Sequence, residues 1–159
     1  MKNFLRHFSD LDLIETKTIK KLLKIGHRIK KNKFKEKHLK NKTLAMIFEK
    51  PSTRTRVSFE IGMKQLSGEV VILDQNDTQL GRGESIKDTI KVISKYVDII
   101  MYRGSSDMRF REIVDSSEVP IINGLTNMSH PCQILSDMFT INEKIGNIKN
   151  KQITWVGDY

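Results

Sequence analysis

The sequence is poor in the residues that staple small proteins or carry their metals. Its one cysteine, Cys132, cannot form an internal disulfide, and a single thiol does not build a thiolate cage. No group of His, Cys, Asp and Glu has metal-ligand spacing. No glycine-rich dinucleotide fingerprint or phosphate loop follows a strand, and Gly81-Arg82-Gly83 is too short for either. The expectation is therefore no metal and no organic cofactor. Aromatic residues make up only 7%, so stacking platforms for single-stranded nucleic acid are scarce. No run of 18 apolar residues occurs, and the opening stretch leads into Asp10 and Asp12 rather than into an apolar signal segment. These absences predict a cytoplasmic protein with no membrane partner.

Charge is plentiful and unevenly placed. The net charge is +9, yet residues 1–42 hold 14 Lys and Arg against 4 acids, and residues 43–159 hold 14 against 15. The basic character thus belongs to the N-terminal arm. Ile19, Leu22, Leu23 and Ile29 recur there at helical spacing, with Lys20, Lys21, Lys24 and Lys31 between them. This describes an amphipathic surface helix with a solvated basic face, so no nucleic-acid partner is expected. A nucleic-acid-binding arm over residues 17–42 stays open as a minor alternative, marked by salt-sensitive binding.

From residue 43 strand and helix patterns alternate. Expected strands are Thr43–Glu49, Glu69–Asp74, Val97–Arg103, Val119–Leu125 and Gln152–Val156. Expected helices are Thr53–Ser67, Glu84–Tyr96, Asp107–Ser116 and Pro131 to about Ile145, the last with proline at its first position. Such alternation predicts an α/β fold, an open parallel sheet with helices on both faces. In that architecture ligands bind beyond the carboxyl ends of the strands. The segments there are Lys50–Arg56, Gln75–Gly83, Arg103–Ser106 and Thr126–Gln133, which hold most of the unusual polar chemistry.

Ser52-Thr53-Arg54-Thr55-Arg56 opens a helix straight after a strand. Free backbone N–H groups, the positive end of the helix dipole and side-chain donors combine in one turn, which suits phosphate. Plain capping by Ser52 or Thr53 explains one hydroxyl but not two arginines. Arg103, at the carboxyl end of the strand Val97–Arg103, brings a guanidinium to the same edge, and His130 and Gln133 flank Pro131 and Cys132 at a further strand end. Alone, Arg103 reads as a surface residue and His130 as a helix cap; their convergence on one edge makes coincidence less attractive.

The run Ser52-Thr53-Arg54-Thr55-Arg56-Val57-Ser58-Phe59-Glu60 resembles the first signature of the aspartate/ornithine carbamoyltransferase family, and His130-Pro131-Cys132-Gln133 resembles its second. Met101-Tyr102-Arg103 lies between them in the family's order. Glu49-Lys50 and Gln79-Leu80-Gly81 are similar to the ornithine branch; Pro51 before Ser52, and Asn127 where Asp is common, depart from the pattern. The resemblance covers the first half of a typical member. It implies a carbamoyl-phosphate-binding domain over residues 1–150, with 151–159 beginning an amino-acid-binding domain that this sequence lacks.

By resemblance, Ser52, Thr53, Arg54 and Thr55 hold the phosphate of carbamoyl phosphate. Arg103, His130 and Gln133 are the catalytic donors at the carbamoyl oxygen, Pro131 and Cys132 belong to the same binding segment, and Gln79 reaches a neighbouring subunit's site in a homotrimer. Ornithine would be held by the absent second domain. The implied activity is carbamoyl transfer to ornithine, giving citrulline and phosphate. The alternative is an inactive or split-gene module that binds carbamoyl phosphate without turnover on its own.

Overall fold

The computed structural model describes residues 7–33, 35, 37–74, 84–146, 150–154, 156 and 157. Among them the order is α1 (Thr16–Lys31), β1 (Thr43–Phe48), α2 (Thr53–Gln65), β2 (Glu69–Asp74), α3 (Ile86–Ile93), β3 (Ile99–Arg103), α4 (Asp107–Ser116), β4 (Ile121–Leu125) and α5 (Pro131–Ile145). The four strands form one parallel sheet in the order β2-β1-β3-β4. The expected open parallel α/β sheet is the fold observed.

Strand side chains alternate between faces, so each strand serves two cores. Ala45, Ile47, Ile100, Tyr102 and Ile121 pack with Ile86 and Ile90 of α3 and with Phe110 and Ile113 of α4. Leu44, Met46, Phe48 and Met101 face the other way, onto Met63 and Phe59 of α2. The register pairs Phe48 with Arg103. Alternation therefore puts the Arg103 side chain on the α2 face and Tyr102 on the α4 face.

The two edges of the sheet differ. Beside β4 the N-terminal segment adds a short parallel bridge, Phe8 to Ile122, with Phe8 N–H donating to Ile121 O at 2.7 Å and Asn123 N–H to Phe8 O at 2.9 Å. His7 Nδ1 accepts from Ile121 N–H at 3.2 Å, which extends the cover of an otherwise open edge.

The basic arm forms the expected amphipathic helix. None of its residues is buried, and Lys20, Lys21, Lys24 and Lys31 are exposed. It leans on α5 through His27 stacked on Phe139, ring centroids 4.2 Å apart, and through Lys30 paired with Glu143.

Several expected elements are shorter, each for a local reason. Helix α3 starts at Ile86 because Ser85 caps it, accepting from Asp88 N–H. Strand β3 starts at Ile99 because the Asp98 carboxylate already takes Thr43 N–H and Lys42. Strand β4 starts after Pro120, which has no N–H to pair. The strand expected over Gln152–Val156 does not form in the described part, Gln152–Thr154 and Val156. A strand needs a hydrogen-bonded neighbour, and those residues pair with no strand among the described residues.

Candidate functional site

The carboxyl edge of the sheet gathers three segments, beginning with the turn from β1 into α2. Ser52 is the N-cap with extended backbone, its Oγ accepting from Thr55 N–H at 3.4 Å, and the first turn contains no acidic residue. Thr53 and Arg54 are exposed within that turn and Thr55 is half-buried. Arg56 differs, because it pairs with Asp74 on β2 at 3.0 Å. Of the two arginines seen in the sequence, Arg54 is the one left to an incoming anion.

Arg103 lies beside that turn. Its Nη1 donates to Thr55 Oγ1 at 3.1 Å and to Gly124 O at 3.3 Å, while its Nε is buried with no partner among the described residues. The register slips between Tyr102 and Arg103, which lets Arg103 pair with Leu125 and reach the Gly124 carbonyl. Burial first, and then the Arg54 guanidinium, hold Arg103 below its ordinary range. Two neighbouring guanidiniums with no acidic residue in the helix turn beside them form a site for an anion.

His130 completes the edge. It occupies the N-cap position of α5 but makes no side-chain cap bond, so the capping interpretation fails. Its Nδ1 is buried and unpartnered. Burial, then Arg103, lower its pKa against a smaller opposing effect of Asp137, which favours the neutral imidazole. Pro131 is buried at the first helical position and fixes where α5 begins.

Two residues of this segment are engaged elsewhere. Cys132 Sγ donates to Asn123 O at 3.3 Å, and burial pushes its thiol up to about 11, so it anchors α5 to β4. Gln133 is exposed and its Nε2 donates to Asp137 Oδ1 at 2.9 Å, so part of its donor capacity is already used. Gln79 lies outside the described residues.

The sequence reading missed a network on the opposite face. Glu49 accepts from Tyr102 Oη and from Arg109 Nη1, each at 2.6 Å. Burial, then Glu49, raise the Tyr102 phenol, and the same carboxylate raises Arg109. A Cβ at position 104 would stand 2.1 Å from Tyr102 Oη and 2.8 Å from Glu49 Oε2, so glycine is required there. The signal available in sequence was Gly104 directly after Arg103. Glu49, next to the turn that opens α2, has its charge balanced on the α4 side by Arg109.

Comparison with known proteins gives the chain its relatives. A family model described as aspartate/ornithine carbamoyltransferase, carbamoyl-P binding domain, matches residues 6–143. An ornithine carbamoyltransferase of Rhodopseudomonas palustris (strain BisA53) is 48% identical over 166 residues, spanning 99% of this chain and 53% of that protein. One from Rhizobium meliloti (strain 1021) is 48% identical over 96% of this chain and 52% of its own length. Among solved structures, ornithine carbamoyltransferase from Pyrococcus furiosus superposes with a TM-score of 0.84 at 44% identity, covering 90% of this chain and 47% of that one. The catalytic subunit of M. Jannaschii aspartate transcarbamoylase gives 0.82 at 39% identity, covering 91% and 49%. This chain spans about half the length of the curated relatives it matches.

Proposed function

This chain belongs to the aspartate/ornithine carbamoyltransferase family, and on that footing we propose that it is the carbamoyl-phosphate-binding half of an ornithine carbamoyltransferase. The observation that carries the reading is the tie from Arg103 to Thr55 at a helix N-terminus whose first turn has no acidic residue, with Arg103 Nε and His130 Nδ1 both buried and without partners among the described residues. Ser52, Thr53, Arg54 and Thr55 hold the phosphate through backbone and side-chain donors. Arg103 and His130 meet the carbamoyl oxygen, where negative charge builds as an amine attacks the carbon and the bond to phosphate oxygen breaks. One such donor is worth roughly 10²–10³ in rate.

Gln133 takes a modified part. With Nε2 held by Asp137, its free end is Oε1, an acceptor matched to the carbamoyl NH2 group. Residues 1–150 form the donor domain and 151–159 begin the acceptor domain, whose side chains hold ornithine. Gln79 completes the phosphate site of a neighbouring subunit in a homotrimer.

Calorimetry with carbamoyl phosphate and with inorganic phosphate tests the assignment. Wild type binds both, and Arg54→Ala weakens both roughly tenfold. Equal affinity of the two proteins would remove Arg54 from the site.

A further inference from the structure

We propose a second binding site on the α4 face of the sheet, in the cleft between the N-terminal segment, α4 and the turn after β4, taking a small alkyl cation: an alkylammonium or alkylguanidinium. The cleft has a volume of about 400 Å³. Asp107, Arg111 and Asp115 follow one another at four-residue spacing along the strip of α4 that lines it, and Asp10 stands on the opposite wall. Asp10 uses one oxygen on Leu11 N–H, while Asp107 and Asp115 make no ion pair among the described residues. Three carboxylates against one guanidinium leave the cleft negative.

The second observation is independent of that charge. Asn123 also lines the cleft, is 1% exposed, and donates through Nδ2 to Ser9 O at 3.1 Å, yet its Oδ1 has no partner among the described residues. Ser129 Oγ, in the same wall, has none either. A buried acceptor without a donor calls for an N–H or O–H from outside the chain. The remaining lining is apolar: Phe110 and Val114 belong to the floor, and Leu13 and Met128 stand 76% and 85% exposed beside it. Carboxylates and orphaned acceptors set around exposed apolar side chains match a cationic head on an alkyl stem. A bare metal ion fits poorly, because no group of three or more metal-ligating side chains comes together among the described residues.

The cleft is separate from the anion site, which lies on the α2 face, but Ser129 precedes His130 in the chain. The cation can come from a free metabolite or from a lysine or arginine side chain of another protein; the chemistry is shared.

The test is an NMR titration of the purified chain with n-butylammonium, n-butylguanidinium and uncharged n-butanol, alongside a short lysine-containing peptide. Saturable shifts at the Asn123 side-chain amide, Ser129 and the Met128 methyl are expected with the cations and not with n-butanol. Asp107→Asn/Asp115→Asn, isosteric changes at a half-buried and an exposed position of α4 and so compatible with folding, weakens that binding roughly fivefold. Tighter binding of the peptide than of the free cations assigns the source to a protein side chain; the reverse assigns it to a small molecule, and both support the site. Absence of saturable shifts at those residues, or cation affinity unchanged in the double variant, overturns the proposal and leaves water as the partner of Asn123.

Discussion

Arg103 Nη1 donates to Thr55 Oγ1 at 3.1 Å, joining the end of β3 to the first turn of α2 across 48 residues of sequence. This bond aligns a guanidinium with the N-terminus of a helix and sets the spacing between the two parts of the proposed anion site. Thr55→Val removes the acceptor while keeping the branched shape. Affinity for carbamoyl phosphate should fall roughly tenfold, with the melting temperature close to that of wild type. Calorimetry beside a thermal melt reads both, and unchanged affinity would mean that the tie does not position Arg103.

Gly104→Ala should destabilise the chain by about 1–3 kcal/mol, the usual cost of forcing extra volume into a packed site. The added Cβ falls 2.1 Å from Tyr102 Oη, so the phenol has to leave Glu49 or the strand end has to move. Urea denaturation of the single variant and of Gly104→Ala/Tyr102→Phe checks this, with little recovery in the double because the ring carbon Cζ still lies within clashing distance of the added Cβ. A midpoint equal to that of wild type would refute the packing account.

Acidification should destabilise the fold through His7. Burial lowers the pKa of His7 against a smaller opposing effect of Asp115, and its Nδ1 accepts from Ile121 N–H, which only a neutral ring can do. The folded state therefore binds fewer protons than the unfolded chain. Stability is fully present above the ordinary histidine value, about 6.5, and is lost as pH falls from there towards the lower folded value. His130, also lowered, contributes with the same sign. Melting temperature should drop between pH 7.5 and 5.5, and His7→Ala should show a shallower drop; parallel curves would clear His7 of the effect.

This chain alone should form no measurable citrulline from carbamoyl phosphate and ornithine. Holding two reactants in attack geometry contributes up to about 7–11 kcal/mol, and the proposed site orients only one of them. The assay uses rigorously purified chain at saturating substrates, with Arg54→Ala as the control against contaminating enzyme. Turnover abolished by that substitution would show that the half is itself an enzyme.

The strand and helix patterns were legible because burial on both sheet faces leaves short apolar runs, and because Ser52 and Pro131 mark helix starts by local chemistry. That Thr55 and Arg103 lie on one edge was legible because parallel strands carry their carboxyl ends to the same side of the sheet; that they touch was not. Individual side-chain partners were not legible where a single residue has several possible ones. His130 sits at a cap position without capping, Cys132 turns its thiol to Asn123, and Gln133 gives its amide to Asp137.

What the sequence determined by itself was periodic and local: which four segments form strands of a parallel sheet, which turn opens α2, and which helix carries the basic face. Only the tertiary structure decided which polar groups meet. It assigned Arg56 to Asp74, Arg103 to Thr55, Glu49 to Tyr102 and Arg109, and it left Asn123 with an unpaired acceptor. The physical reason is range. Capping and hydrophobic period act within a few residues, whereas these contacts follow from strand order and register, which place residues 18 to 60 positions apart side by side.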